Sequence, residues 1–329
     1  MKCPNCGTEL DQEMYYDHIS EDSAYYNYCD KCGWDDYPYD YLNEIKEREE
    51  NDMITREMIV NKLKNLGYEV QSTDVTKNGV KLQGITIGTE TVRPTIYVDD
   101  LLDMKLNDAV DDIINTYEKI QNNPPMQIDL KDLMKWDNVK TKLKLCLQRK
   151  GDEDIIKRNF LDLEQYVRVM ININNGTGSF KVTSKHLESF GITEEQLFNA
   201  AWDNTKPTLI KKDMVYKIAE LMGITVEELK ESIPNPPKQI FLSNIENVHG
   251  AIAMKDTWML SEIADSYKSD LVILPSSIHE VIIVPLEEDT NFFEIDEMIK
   301  EINETQVAPE EQLSDHAYRF DRNTREITF

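Results

Sequence analysis

The sequence predicts an α+β fold, with mixed sheets packed against helices, behind a small cysteine-bearing module at the N-terminus. Apolar residues recur at helical spacing over residues 59–66, which favours a helix. The tight-turn sequence Lys77-Asn78-Gly79 separates two strand-like segments and predicts a hairpin. Residues 271–275 and 281–285 are short apolar runs, which are typical of buried central strands.

Four of the five cysteines form two Cys-x-x-Cys pairs, Cys3 with Cys6 and Cys29 with Cys32, and a glycine follows each pair. Two intervening residues let the paired sulfurs occupy adjacent corners of a tetrahedron, and the glycine permits the turn that points backbone N–H groups at sulfur. We therefore predict a zinc ribbon over residues 1–40, holding one structural zinc ion. A rubredoxin-like iron site and two redox dithiols are the alternatives.

The segment around the second cysteine pair is rich in tyrosine and in acidic residues. Eight of the 15 tyrosines lie within residues 15–41, and residues 1–41 hold ten acidic residues against two basic ones. An acidic, aromatic surface resembles a protein-binding surface, whereas zinc ribbons that bind nucleic acid usually carry a basic face. The alternative is that several tyrosines pack a small core, and both interpretations stay open.

Residues 41–53 are predicted to form a charged helical connector, and residues 54–329 an α+β domain with a candidate sub-boundary near residues 122–126. The elements expected in that domain are, in chain order, a helix at 59–66, the hairpin around 77–79, a strand at 95–98, a helix at 106–120, a helical stretch at 133–147, a hairpin at 167–183, a helix opened by a capping box at 193–196, a helix pair at 212–232, strands at 240–242 and 248–254, a helix at 258–267, the two apolar strands, an acidic helix at 293–302 and a closing hairpin at 318–329.

The net charge of −26 comes from 36 Lys and Arg against 62 Asp and Glu. Residues 1–53 (net −11) and 286–315 (net −10) hold most of the excess. Such a field repels nucleic acid and anionic membranes and favours a basic protein partner. We therefore expect a protein partner, no direct nucleic-acid binding and no membrane association. The sequence opens without an apolar signal region, so a cytoplasmic location is expected.

Three parts of the sequence carry a family resemblance. They are residues 77–84 with 93–100, residues 269–281, and residues 303–311 with 313–316. The most specific motif is Pro-Ser-Ser-Ile-His-Glu-Val at residues 275–281. Residues 57–329 resemble an uncharacterised bacterial family, a domain of unknown function. The resemblance implies a shared α+β fold and brings no activity, and the zinc ribbon looks like an addition that many members lack.

Ser277, His279 and Glu280 are candidate binding residues in the turn between the two apolar strands. Ser277 and His279 suggest a nucleophile and a base. Residues two apart on one strand rarely bring a hydroxyl to an imidazole, however, and no nucleophile elbow is present. We therefore predict a structural or binding role in the turn, with its polar side chains bonded to exposed backbone ends.

Three further features are interpreted as structural. Residues 217–229 resemble part of a helix-turn-helix, but Glu227 and Glu228 would meet DNA phosphates. The basic stretch at residues 129–158 is interpreted as a solvated helix face. Cys146 is interpreted as a buried structural thiol.

The leading functional hypothesis is a non-enzymatic, cytosolic interaction or regulatory protein with a structural zinc module. One alternative is an acidic mimic of nucleic acid that occupies a DNA- or RNA-binding protein, which the charge of −26 suggests. Another is an enzyme centred on Ser277, His279 and Glu280. A deep pocket containing His279 would favour the enzyme, a continuous acidic ridge the mimic, and an exposed tyrosine-rich patch the interaction protein.

Overall fold

The computed structural model describes residues 1–16, 23–35, 54–88, 93, 95–122, 131–173, 176–233 and 238–329. The chain divides into two compact units. The first unit comprises residues 1–73 and 83–115, and the second unit comprises residues 74–82 and 116–329. The charged connector predicted over residues 41–53 lies outside the described residues, as do parts of the tyrosine-rich segment.

The first unit begins with an antiparallel pair of strands, β1 (Asp11–Tyr16) and β2 (Ser23–Tyr28), which lie between the two cysteine pairs. Helix α1 (Arg56–Asn65) follows, and the Thr55 hydroxyl caps it by accepting a hydrogen bond from the Met58 amide. The buried face of α1 carries Ile59, Val60 and Leu63, at the spacing that the sequence predicted.

A three-stranded sheet continues the chain, in the order β3 (Val70–Lys77), β4 (Val80–Ile87) and β5 (Thr95–Tyr97), and helix α2 (Leu106–Asn122) comes next. Asn78 and Gly79 both have positive φ, 50° and 80°. A two-residue hairpin loop with a type I′ turn requires positive φ at both positions. The tip of this hairpin, residues 74–82, belongs to the second unit.

The second unit contains a four-stranded antiparallel sheet of β6 (Leu143–Arg149), β7 (Lys157–Phe160), β8 (Leu163–Ile173) and β9 (Gly176–Lys181). The long strand β8 lies at its centre. It pairs with β6 along one edge, and with β7 and then β9 along the other.

A six-stranded antiparallel sheet forms the rest of the β-structure of the second unit. Its order is β10 (Leu209–Asp213), β11 (Ile240–Asn244), β13 (Val281–Pro285), β12 (Leu271–Leu274), β14 (Tyr318–Phe320) and β15 (Ile327–Thr328). The two apolar runs of the sequence are its adjacent central strands β12 and β13, which place five fully buried residues in the core, namely Leu271, Val272, Ile273, Val281 and Ile283.

Helices cover these sheets: α3 (Trp136–Val139), α4 (Ser184–Phe190), α5 (Glu194–Thr205), α6 (Met214–Met222), α7 (Val226–Ser232), α8 (Thr257–Tyr267) and α9 (Phe292–Gln306). Thr193 and Gln196 form the predicted capping box of α5. One core joins Leu197 of α5 and Leu260 of α8 to both sheets of this unit. No described helix has the length and apolar character needed to cross a membrane.

Two secondary-structure predictions are wrong. The helix expected at residues 133–147 is largely strand β6, because the alternation of Leu143, Leu145 and Leu147 is matched by pairing with β8. The basic stretch is therefore not one solvated helix face. The strand expected at residues 248–254 is instead the 3-10 turn Gly250–Lys255, whose first amides bond to the carbonyls of the turn at residues 275–280.

Candidate functional site

The four N-terminal thiols lie together. The Sγ atoms of Cys3, Cys6, Cys29 and Cys32 are all within 4.8 Å of one another. The Cys3–Cys32 and Cys6–Cys29 separations are 3.6 and 3.5 Å. Cys3 and Cys29 are buried and the other two are exposed, so the cluster spans the inside and the surface of the small module.

The two cysteine pairs adopt the same turn, which is why the sulfurs converge. Gly7 and Gly33 both have φ of +73°. The Gly7 amide donates to the Cys3 carbonyl and the Gly33 amide to the Cys29 carbonyl, each at 2.9 Å. Such matched turns, each closed by a glycine that tolerates positive φ, form the two halves of a metal knuckle site.

The chemistry of this donor set fits a metal ion. Hydrogen bonding with Thr8 lowers the pKa of Cys6 to about 6, whereas burial raises the pKa of Cys29 to about 11. A metal binds the thiolate form, so coordination would remove the remaining protons. Four sulfur ligands complete a tetrahedral site and leave no position for a substrate.

Ser277, the candidate nucleophile, is bonded within its own loop. Its side chain is only 6% exposed, and its Oγ accepts a hydrogen bond of 3.0 Å from the backbone amide of His279. The hydroxyl is thus held by the His279 backbone and not by the imidazole. Glu280 is half-buried, and burial raises its pKa. The structure places the three residues side by side, and the Ser277 hydroxyl does not bond to the His279 imidazole.

His279 is bonded at both ring nitrogens. Its Nδ1 accepts the backbone N–H of His249 at 3.2 Å, and its Nε2 lies 3.2 Å from Glu311 Oε1. Because Nδ1 accepts a hydrogen bond, the ring proton is on Nε2 and is donated to Glu311. In this arrangement the imidazole ties three segments together and has no free nitrogen that could act as a base.

His279 also lines a cavity of about 180 Å³ within the second unit. The wall comes from strands β6, β8 and β9, from the two loops that carry His249 and His279, from residues 310–311 and from the hairpin tip at residues 77–78. Seven segments, spread between residues 77 and 311, therefore build one site.

The sheet wall of the cavity is a polar face that is nevertheless buried. Tyr166 and Arg168 are two residues apart on β8, so they lie on one face, and their partners in the register are Cys146 of β6 and Lys181 of β9. Tyr166 is 2% exposed and Cys146 is 1% exposed. Burial raises the pKa of Cys146 to about 12, which supports the interpretation of a structural thiol.

Lys181 is held by several partners in the same wall. Its Nζ lies 2.5 Å from Glu153 Oε2 and 3.1 Å from Gln148 Oε1, and 4.9 Å from the centre of the Tyr166 ring. Desolvation lowers its pKa, against the opposing effect of Glu153. The side chain is therefore fixed in position and faces the cavity with its charge largely neutralised.

His249 faces His279 across this site, with ring centroids 5.6 Å apart. It has a φ of +55°, and its Nδ1 is buried without a hydrogen-bond partner among the described residues. Burial first, and then the positive charge of Arg168, lower its pKa to about 3. The next residue, Gly250, has no Cβ atom, so its backbone can approach the loop that carries His279. Its amide donates a hydrogen bond of 2.9 Å to the His279 carbonyl.

Sequence reasoning identified the cysteines and His279, and it missed Arg168, Lys181 and His249. Arg168 and Lys181 lie in a correctly predicted hairpin, but polar residues that alternate along a strand normally indicate a solvated face. The His249-Gly250 pair was a usable signal, because glycine beside a functional side chain often marks a close backbone approach.

Comparison with known proteins gives a family and no activity. No curated protein and no solved structure matches the chain. A family model described as "Family of unknown function (DUF5688)" matches residues 50–322. The match takes in most of the chain, including every residue that lines the cavity, and begins after the cysteine module. The chain therefore belongs to this family of unknown function.

Proposed function

We propose that the protein is a non-enzymatic, cytoplasmic interaction or regulatory protein whose zinc ribbon serves as a structural module for binding a protein partner. The observation that carries the proposal is the set of four converging thiols at Cys3, Cys6, Cys29 and Cys32. Zinc is favoured over iron or a redox role because the two cysteine turns match in form and neither lies in a βαβ unit.

The charge of the chain supports a basic protein as the partner. The net charge is −26, and long-range attraction of this kind speeds association and selects against acidic partners. His279 does line a cavity, which was the feature expected of the enzyme hypothesis. We do not adopt that hypothesis, because the Ser277 hydroxyl accepts a hydrogen bond from the His279 amide and not from an imidazole, and because both His279 ring nitrogens have partners.

Metal analysis and partner capture test the proposal together. We expect one zinc per chain by elemental analysis, and a basic protein captured from the native host by the full chain. Cys29→Ser should lose both the zinc and the captured partner. Three sulfur ligands bind zinc more weakly than four, and the small module then loses the free energy that keeps it folded. Cys146→Ala is the matched control, because that thiol is buried in β6 outside the cluster, and it should keep both.

Two results would contradict the proposal. Protein purified without chelators that contains no zinc, or that contains iron, would refute the zinc ribbon. Capture of the same partner by Cys29→Ser and by the wild-type chain would show that the ribbon is not the interaction module.

A further inference from the structure

The cavity of the second unit contains hydrogen-bond donors that the protein does not use. A guanidinium has five N–H donors. In Arg168, Nε and Nη2 lie 3.0 and 2.7 Å from Ser179 Oγ, and Nη1 lies 3.5 Å from the Tyr166 hydroxyl. These contacts use three donors at most. Two N–H groups of Arg168 therefore have no protein acceptor within the described part of the chain.

Arg168 also lacks a counter-ion. Other basic residues of the same sheet pair with carboxylates: Lys181 with Glu153 at 2.5 Å and Lys157 with Glu164 at 3.3 Å. Across the described ranges no carboxylate forms an ion pair with Arg168. Glu153 attracts Arg168 electrostatically, but its carboxylate is in contact with Lys181, so no described carboxylate contacts the guanidinium directly. A bound anion would supply that contact.

Two more groups converge on the same space. Lys181 has three N–H donors and two acceptors among the described residues, Glu153 and Gln148, so one donor remains. His249 Nδ1 is buried and has no partner among the residues that the structure describes. Both residues line the cavity together with Arg168. Unused N–H donors of Arg168 and Lys181 and an unpartnered ring nitrogen of His249 thus border one small volume.

We propose that this cavity binds a small oxyanion, a phosphate or carboxylate group carried by a compact molecule, with Arg168 as its counter-ion. The planar fork of an arginine matches two oxygens of either group. Lys181 supplies a further donor, and His249 supplies another in the tautomer that carries its proton on Nδ1. This site lies in the second unit and goes beyond the role proposed for the zinc ribbon.

Size and charge restrict the ligand. A volume of about 180 Å³ equals the share of roughly six water molecules. Glu310 and Glu311 also line the cavity, and Glu311 is already bonded to His279. A long polyanion would meet these carboxylates and the overall charge of −26. The ligand is therefore a small metabolite or inorganic anion.

Thermal unfolding with inorganic phosphate and with acetate tests the proposal on the full chain, with chloride at matched ionic strength as reference. A ligand that binds only the folded state raises Tm in proportion to its saturation. We expect phosphate, acetate or both to raise Tm beyond chloride. Arg168→Met should weaken the binding by about tenfold or more, the loss of charge-assisted hydrogen bonds. Arg158→Met is the matched control, because Arg158 stacks on Phe198 and does not line the cavity.

Histidine NMR of the wild-type chain gives a readout that does not depend on a variant that folds. The chain has only five histidines, so the ring signals of His249 and His279 can be separated from those of His186 and His316. We expect the first two to shift saturably with the anion and the last two to stay unchanged. An effect of phosphate alone would assign a phosphoryl ligand, and an effect of acetate alone a carboxylate. No saturable shift with either anion, or an unchanged response in Arg168→Met, would overturn the proposal.

Discussion

His279 shows how one side chain can hold a loop through both of its ring nitrogens. Its Nδ1 accepts the His249 amide and its Nε2 donates to Glu311. Around it, Ser277 accepts the His279 amide and Ser243 donates to the His279 carbonyl. The loop between β12 and β13 is therefore fixed by these side chains together with backbone hydrogen bonds to neighbouring segments, such as that from the Ile278 amide to the Glu311 carbonyl.

This arrangement predicts different results for two substitutions of His279. A glutamine has an acceptor and a donor at its end and replaces part of the bonding, whereas alanine leaves the His249 amide unpartnered. We expect His279→Ala to lose about 1–3 kcal/mol of unfolding free energy and His279→Gln to lose distinctly less. Urea denaturation measures both. Wild-type stability in both variants, together with loss of a cellular phenotype, would show that the residue is functional and not structural.

Gly250 is required for space. A Cβ atom on Gly250 would lie 2.6 Å from both the Asn244 nitrogen and the His279 oxygen. We expect Gly250→Ala to destabilise the protein by about 2 kcal/mol or more, because these contacts are backbone atoms that cannot move away alone. Gly151→Ala is the matched control, since the nearest atom to its Cβ is Gly79 Cα at 3.7 Å. Equal Tm values for the two variants would contradict this account.

His249 makes stability depend on pH. Burial first, and then the neighbouring basic groups Arg168, His279 in its protonated form, Lys181 and Lys77, lower its pKa from 6.5 to about 3. Between these values the unfolded chain binds a proton that the native protein does not bind. Stability contributed by the neutral ring is thus complete above pH 6.5 and falls as the pH decreases, with a slope of up to about 1.4 kcal/mol per pH unit.

The substitution His249→Asn isolates that contribution, because asparagine tolerates the positive φ of this position. We expect the unfolding free energy of the wild-type chain to fall more steeply than that of the variant between about pH 6.5 and 5, where most carboxylates remain charged. Identical slopes in the two proteins would show that His249 is protonated as easily in the folded state as in the unfolded state.

At the scale of elements, the cysteine module is held together by few apolar contacts. Among the residues that the structure describes there, the buried cluster consists of Cys3, Leu10 and Cys29, with Trp34 packed against it. So small a cluster contributes little free energy, and a metal bound by the four thiols would supply much of the rest. We expect a strong chelator to abolish the amide dispersion of residues 1–35 while the signals of strands β12 and β13 remain. Cooperative loss of both sets would contradict independent stability of the second unit.

The elements also show what the sequence could and could not predict. Caps and tight turns are local, and the Thr193 capping box and the Asn78-Gly79 turn follow directly from their residues. Leu143 and Leu147 fit a helical period, and Leu145 between them also fits a strand. Only the pairing of β6 with β8, a contact between distant segments, decides between the two.

The candidate sites also differ in whether they depend on local motifs or on contacts between distant segments. The cysteine cluster was predictable because its ligands lie within two short motifs. The cavity was not, because Arg168, Lys181 and His249 come together only through tertiary structure. A buried polar face also runs against the expectation that alternating polar residues meet water.

The whole molecule is set apart by its charge of −26. Helices α6 and α7 have the order of a helix-turn-helix, but the first turn of α7 carries Glu227 and Glu228. We expect no binding to duplex DNA at physiological salt, because repulsion leaves no gain from counter-ion release. A gel shift at sub-micromolar protein that weakens with added salt would contradict this expectation.

The hairpin tip at residues 74–82 limits which segments of the gene can be exchanged by recombination. Asn78, only 6% exposed, accepts the Arg149 amide at 2.8 Å and donates to the Gln312 carbonyl. Recombination that moved only residues 116–329 to another gene would leave Asn78 behind, so both of those backbone groups would lose their partner and the cavity would lose one wall. The second unit is therefore not encoded by one continuous stretch of the gene. A transfer that keeps it intact must include residues 74–329, with the part of the first unit that lies between its two segments.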